Sequence, residues 1–477
     1  MQRKACDQCH ARRKRCLARP ASSTCTRCEK SSLTCTNSRQ QPRVGRPPKE
    51  DRGLPGAAKA SLGLWDCTTP KPNEITASAS PQPQPQSQSQ SDDLDLEFYL
   101  QHDIYMIGST FASDFHRALE YCHSHSAPLL DDIFHACSSS LSWARFGVLS
   151  ADQVDVASGA ASVEKLRNAV ITHTHDAAAV LMLGQALAAF DSLVASTATI
   201  SILRYALSLV RPWYPDLLGN RVLESVAIAP IFWDTVWCLL HREIPIVKPV
   251  FAREGIVDRV VGLCASLLPI LYDLCVVSHS LADPSISESE IQSQYKSLGM
   301  IETRIRSWDP ESILSTSASS PSTNTTYTPL ETLSMKTQAS MYRTAILLLI
   351  HHIRLSSPQT QPPKHEYDNE SEYAPTLATE ILTTRSKFFA LAGPASKLQN
   401  TCFPLILAMM TIPGIPTEGM WESSTRLQKR PACVEKLFAF GEYFWMRRAG
   451  EEKEGKKQSS LFEIVCDESG PGFVPLM

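Results

Sequence analysis

The chain has 477 residues, 43% of them apolar, and a formal net charge of only −3, so there is room for a sizeable core. That near-neutral total hides an asymmetry: residues 1–52 carry fourteen Lys and Arg against four acids, a net +10, while residues 53–477 carry 32 against 45, a net −13. A basic head on an acidic body is the electrostatic footprint of a nucleic-acid binder. Six of the fifteen cysteines crowd into the first 35 residues and the other nine are scattered, mostly in apolar stretches. This is reduced, intracellular usage and excludes a disulfide-stapled secreted scaffold.

Taken in chain order, the opening MQRKACDQCHARRKRC lacks an apolar h-region, so no secretory leader is expected. Cys6, Cys9, Cys16, Cys25, Cys28 and Cys35 then spell C-x2-C-x6-C twice, separated by an eight-residue loop. A C-x2-C pair brings two thiolates of one turn to one metal, and x6 sets the third about two turns further along a short helix. Two separate tetrahedral zinc sites would need more donors than six cysteines supply. Six thiolates suffice only where two of them bridge both metals, so the array predicts a binuclear cluster holding two zinc ions. The residues between the cysteines differ sharply. The first gap, His10-Ala11-Arg12-Arg13-Lys14-Arg15, is strongly basic, whereas the second, Glu29 to Thr34, has one charge of each sign, with Lys30 its cation. A basic run of this kind also suits nuclear import.

This array, with its basic first gap, resembles the fungal binuclear zinc cluster family of transcription factors over about residues 1–50. The resemblance implies that Cys6 and Cys25 bridge the metals, that Cys9 and Cys16 complete one site, and that Cys28 and Cys35 complete the other. It further implies that Arg12 and Arg13 read bases, that Arg15 meets phosphate, and that the target is a CGG-type triplet of double-stranded DNA in the major groove. Arginine suits that task because its planar fork donates two bonds to guanine O6 and N7. Pro20 stands where the family often has a proline between the halves, although the loop here is longer than its commonest version.

Behind the cluster, Arg43-Val44-Gly45-Arg46-Pro47-Pro48-Lys49 resembles the AT-hook, in which a flattened backbone slides arginine into the narrow minor groove of A/T-rich DNA. The usual arginine before glycine is Val44 here, so the match is partial: a flanking minor-groove contact by Arg43 and Arg46 is one expectation, and a solvated basic linker is the alternative. No heptad pattern follows; residues 41–93 run through Gly and Pro into SASPQPQPQSQSQS and read as a disordered tether. A homodimer therefore has no coiled coil visible in the sequence. Asp92 to Leu100 mixes acids with bulky apolar residues, a pattern shared by activation segments and by the first turn of an ordinary helix, and the helix start is the expectation.

From residue 94 to 477 the period turns helical, with helices expected over 176–195, 199–210, 259–277, 332–355 and 433–448, and surface loops over 315–329 and 356–375. The fold class is thus mostly α: a Zn2Cys6 head (1–40), a linker (41–93) and a large all-helical regulatory body (94–477). The segment 177–203 is expected to be a buried helix and no transmembrane segment is assigned. The body resembles the regulatory domain of fungal transcription factors through TPLETLSMKTQASMYRTAILLLIHHIR and the stretch from Arg430 to Trp445. H-E-x-x-H, G-x-S-x-G, phosphate-loop and G-x-G-x-x-G motifs are all lacking, so no enzyme is expected. The pairs His123/His125, His173/His175 and His351/His352 read as solvent-facing or packed, for want of carboxylate or cysteine companions. The resulting expectation is a nuclear regulator of RNA polymerase II genes whose partners are DNA and the transcription machinery. A zinc-cluster interaction module without specific DNA binding is the alternative.

Overall fold

The computed structural model describes Cys28 and residues 106–147, 149–251, 253, 255–319, 326–356, 372–414, 432–467 and 470. The chain divides into two compact units, residues 1–72 and 73–477. Most of the first unit, and the segment 92–100, lie outside the described residues.

The second unit is helical, and among its described residues the only β pairing is the isolated bridge Asp258–Gly262. Its first described α-helix is α1 (Ala112–Leu141), bent where Ser126 leaves helical geometry (φ −148°, ψ 39°) two residues before Pro128. Proline has no N–H to give to the preceding turn, which is why the bend falls there. Helix α2 (Val156–Arg167) starts on Asp155, whose carboxylate accepts from Ser158 N at 2.9 Å.

The centre of the unit is α3 (Thr174–Val194), which packs against α1, α2 and α4 (Thr199–Val210). Alanine, leucine and methionine on every face of α3 are buried, which is the pattern of a helix surrounded by others. At its crossing with α4 a Cβ on Gly184 would stand 2.3 Å from the Cβ of Ala206. Only glycine lets the two backbones approach this closely.

Short α5 (Tyr214–Gly219) leads into α6 (Arg221–His241), capped by Asn220, whose Oδ1 accepts from Val222 N at 3.0 Å. Arg242 ends α6 in the left-handed region (φ 55°), and its Nε donates to the Ser278 carbonyl at 3.1 Å on α7 (Leu268–Ala282). Capping boxes start α8 (Glu288–Ser307) at Ser287/Glu290 and α10 (Pro329–Leu355) at Thr328/Glu331, with α9 (Pro310–Ser319) between them. Glu331 also accepts from Thr110 N at 2.9 Å and from Thr110 Oγ1 at 2.6 Å, which ties the turn just before α1 to α10. Helices α11 (Tyr373–Ala392) and α12 (Cys402–Thr411) lie against α10, and α13 (Ala432–Lys453) and α14 (Leu461–Val465) close the unit. Tyr342 of α10 meets Phe232 of α6 edge-on at 5.2 Å and stacks with Phe403 of α12 at 5.8 Å. Each buried side chain of this size is worth roughly 1.5–3 kcal/mol.

Two expectations need correction. The helix expected over 259–277 begins only at Leu268: Gly262 takes φ 54° in a turn closed by paired Asp258–Gly262 backbone bonds, a 3₁₀ segment covers Leu263–Leu267, and Pro269 sits in the first turn of α7. Of the loop expected over 315–329, residues 315–319 belong to α9 and Pro329 opens α10, and of that expected over 356–375, residues 373–375 belong to α11; residues 320–325 and 357–371 lie outside the described residues. Proline in a first turn, where its missing N–H costs nothing, marks a helix start at 329 and not a loop. Among the described residues three helical segments, Thr174–Val194, Arg221–His241 and the 3₁₀ segment with α7 over Leu263–Ala282, are long and apolar enough to cross a membrane, and their apolar windows are 83%, 78% and 56% buried inside the protein.

Candidate metal centre and DNA interface

Among the predicted zinc ligands Cys28 is described: it is helical and 1% exposed. That suits the second cysteine of a C-x2-C pair, where a ligand thiolate must be shielded from water. Cys6, Cys9, Cys16, Cys25 and Cys35 lie outside the described residues, as do Arg12, Arg13, Lys14, Arg15, Lys30, Arg43 and Arg46. The donor set itself fits zinc, since thiolates at this spacing are the soft ligands that metal prefers.

The cysteines of the body are a different population. Cys122, Cys137, Cys238, Cys264, Cys275 and Cys433 are buried. Burial alone pushes the Cys122 thiol up to about 12, and it does the same to Cys433, with backbone hydrogen bonds opposing. Cys137, Cys264 and Cys275 are pushed up further for the same reason. They act as weak donors: Cys137 Sγ lies 3.5 Å from the Ala186 carbonyl, Cys275 Sγ 3.6 Å from that of Thr235, and Cys238 Sγ 3.6 Å from Asp234 Oδ1. Buried and held in the protonated form, such thiols are inert structural groups.

Buried charges in the body also serve packing. Asp234, fully buried, accepts from Ile246 N at 2.7 Å and faces Arg204 Nε at 3.2 Å. Burial raises its pKa, with Arg204 and the Ile246 amide opposing. The effect is to fasten the chain after α6 back onto α6 and α4. Asp258 caps its own turn by accepting from Val260 N and Val261 N at 2.8 and 2.9 Å.

The histidine pairs divide. His351 is buried, edge-on to Tyr373 at 5.4 Å, and His352 Nε2 lies 3.4 Å from Thr411 Oγ1, so this pair is packed as expected. His123 pairs with Asp131 at 2.9 Å. His125, His173 and His175, however, come together on one surface with Asp176. The sequence reading missed this group because it overlooked Asp176, the carboxylate immediately after His175, and could not see that α1 crosses the start of α3.

Residues 4–44 match the model of the fungal Zn(2)-Cys(6) binuclear cluster domain, and residues 167–408 match that of the fungal specific transcription factor domain. The first match holds all six cysteines together with Arg12, Arg13, Lys14, Arg15, Lys30 and Arg43, while Arg46 falls just beyond it. The second runs from the end of α2 through most of α12. No curated protein and no solved structure matches the chain.

Proposed function

The chain belongs to the fungal zinc-cluster transcription factors, carrying both the binuclear cluster domain and the fungal specific transcription factor domain, and from that premise we propose that Arg12 and Arg13 of its zinc-held helix read a CGG-type triplet in the major groove. The family makes it a DNA-binding transcription regulator with two zinc ions, working with the transcription machinery and not an enzyme. Its role is nuclear, and we place the chain itself in the nucleus. The domains proposed are residues 1–40 as the head, 41–93 as the linker and 94–477 as the regulatory body, with a homodimer as the assembly.

In this reading the six cysteines, Cys6, Cys9, Cys16, Cys25, Cys28 and Cys35, hold the metals, with Cys6 and Cys25 shared. Zinc supplies the folding free energy that so short a segment cannot draw from an apolar core. The arginine forks of Arg12 and Arg13 donate to guanine, while Lys14, Arg15 and Lys30 neutralise phosphates and set register without reading sequence. Arg43 and Arg46 follow the flanking minor groove.

The observation that carries the reading is the inequality of the two gaps: four cations between Cys9 and Cys16, one between Cys28 and Cys35. A cluster built for metal alone has no need of it. Arg12→Ala or Arg13→Ala should cost about 1–3 kcal/mol on a CGG site and little on random DNA, whereas Lys30→Ala should weaken all sequences alike and flatten the salt dependence. Binding isotherms at fixed salt check this. Equal losses on both DNAs would sink base reading by the first helix, and zinc-dependent retention that ignores sequence would favour the interaction-module reading.

A further inference from the structure

His173 is the N-cap of α3, His175 and Asp176 lie in its first turn, and one donor atom from each of the three lies within 4.8 Å of the others. The rings of His173 and His175 are 5.0 Å apart, and His125 of α1 brings a third ring to 4.9 Å from His175. Metal–nitrogen bonds of about 2.0–2.1 Å put the ring centres of two tetrahedral imidazole ligands roughly 5 Å apart. The spacing therefore admits a shared ion without movement of the backbone, once the rings turn: the planes of His173 and His175 now lie only 9° apart, whereas a shared ion must lie in the plane of each ring.

The surroundings orient these donors. His125 Nδ1 lies 2.7 Å from the Tyr121 carbonyl oxygen and 3.1 Å from Ser124 Oγ. Donation to that carbonyl fixes the tautomer whose Nε2 is a lone-pair donor, the outer arrangement usual for a metal-binding imidazole. Asp176 is held on one side only. Its Oδ2 accepts from Thr172 N at 3.0 Å, Thr172 Oγ1 at 2.8 Å and His173 N at 3.0 Å, while Oδ1 faces His175 Nε2 at 3.4 Å. Burial raises its pKa, but the bonds from Thr172 and His173 outweigh burial and keep the carboxyl below its ordinary range. Its charge also offsets the positive end of α3, which would otherwise repel a cation.

We infer that His173, His175 and Asp176, completed by His125, bind one divalent transition-metal ion of the zinc, nickel or copper class at the junction of α1 and α3. Three imidazoles and one carboxylate select such ions over calcium or magnesium, which prefer oxygen donors throughout. The site is chemically distinct from the thiolate cluster of the head. His125 directly precedes the bend of α1 at Ser126, so a bound ion clamps that bend to the start of α3 and gives the body a response to metal.

The test uses the full-length chain with its two head zinc ions in place, dialysed against increasing ZnCl2 and read by zinc content. A third equivalent is expected. His175→Gln should lose it and keep the other two, and His125→Gln should weaken it about tenfold or more. None of the four residues is buried, so far-UV circular dichroism should be unchanged in each variant. Saturation at two zinc ions, a third ion retained by His175→Gln, or a His125→Gln chain with wild-type affinity would each overturn the inference.

Discussion

Cysteine does two unrelated jobs in the two regions of this chain. In the head six thiols stand within 30 residues of one another, interleaved with cations, and the family to which the chain belongs holds two zinc ions on them. In the body Cys122, Cys137, Cys238, Cys264, Cys275 and Cys433 are dispersed through α1, α6, the 3₁₀ turn, α7 and α13, buried, with thiols pushed well above their ordinary range by desolvation. Charge and spacing make a cysteine a ligand, and apolar surroundings make it a small hydrophobe. It follows that the head draws its stability from metal and the body from buried surface.

The largest effect expected is on the head alone. Structural zinc contributes about 10–16 kcal/mol of apparent binding free energy in small zinc domains, so chelation should abolish binding to a CGG site while leaving the helical circular dichroism of the body nearly intact. Cys25→Ser, which removes a proposed bridge, should empty both zinc positions, whereas Cys9→Ser should at first loosen one. Cys264→Ser should leave the metal content alone and cost about 1–3 kcal/mol, because a hydroxyl is more expensive than a thiol to bury without a partner. Zinc analysis and urea unfolding read the two outcomes separately. A body that melted on chelation would break the comparison.

Gly184 offers the reverse experiment. A Cβ there would sit 2.3 Å from the Cβ of Ala206, a methyl with no rotamer to escape into, so α3 and α4 would have to part. Gly184→Ala should destabilise the body by about 1–3 kcal/mol in chemical denaturation and leave both the zinc content of the head and its affinity for a CGG site unchanged.

How much of this was legible without coordinates depended on range. Helix 199–210 was read to the residue, because its apolar period and its limits are local. The run 259–277 was read as one helix because its apolar content is continuous; the positive φ of Gly262 and the first-turn Pro269 are conformational facts that hydropathy does not register. The proposed zinc ligands could be named from sequence because a C-x2-C-x6-C unit brings its own donors together, although of the six only Cys28 lies among the described residues. The assembly of His125 with His175 was not legible, since fifty residues separate them and only the packing of α1 on α3 makes them neighbours.

A smaller effect separates the regions by pH. Burial, then the neighbouring His351 and Arg448, push His352 from its ordinary value of 6.5 down to about 3. The folded body therefore keeps this ring neutral while the unfolded chain takes up a proton below 6.5. Stability is full above that value and falls as the pH drops towards 3, with a slope of up to about 1.4 kcal/mol per unit. Urea unfolding of the body at pH 6.5 and pH 5 should differ by about 2 kcal/mol from this group, and His352→Gln should flatten the difference. A variant with the wild-type slope would assign the acid sensitivity elsewhere.

The smallest effect is at Cys466, just after α14, which is the exposed cysteine among the described residues of the body. Its Sγ lies 4.0 Å from the His241 carbonyl oxygen. Partial burial, and then the charge of Glu243, raise its pKa, with Arg242 opposing. It should thus be reached by an alkylating agent before the buried thiols, yet react more slowly than an unhindered cysteine, because little of it is thiolate at neutral pH. In the zinc-loaded chain, time-resolved mass spectrometry should show Cys466 modified first among the described body cysteines, with Cys264 and Cys275 following only as the body unfolds. Cys466→Ser should shift unfolding by no more than about 0.5 kcal/mol, as surface substitutions do. Were Cys264 to react alongside Cys466 in the native chain, the body would be opening without global unfolding, and burial would no longer account for the inertness of its thiols.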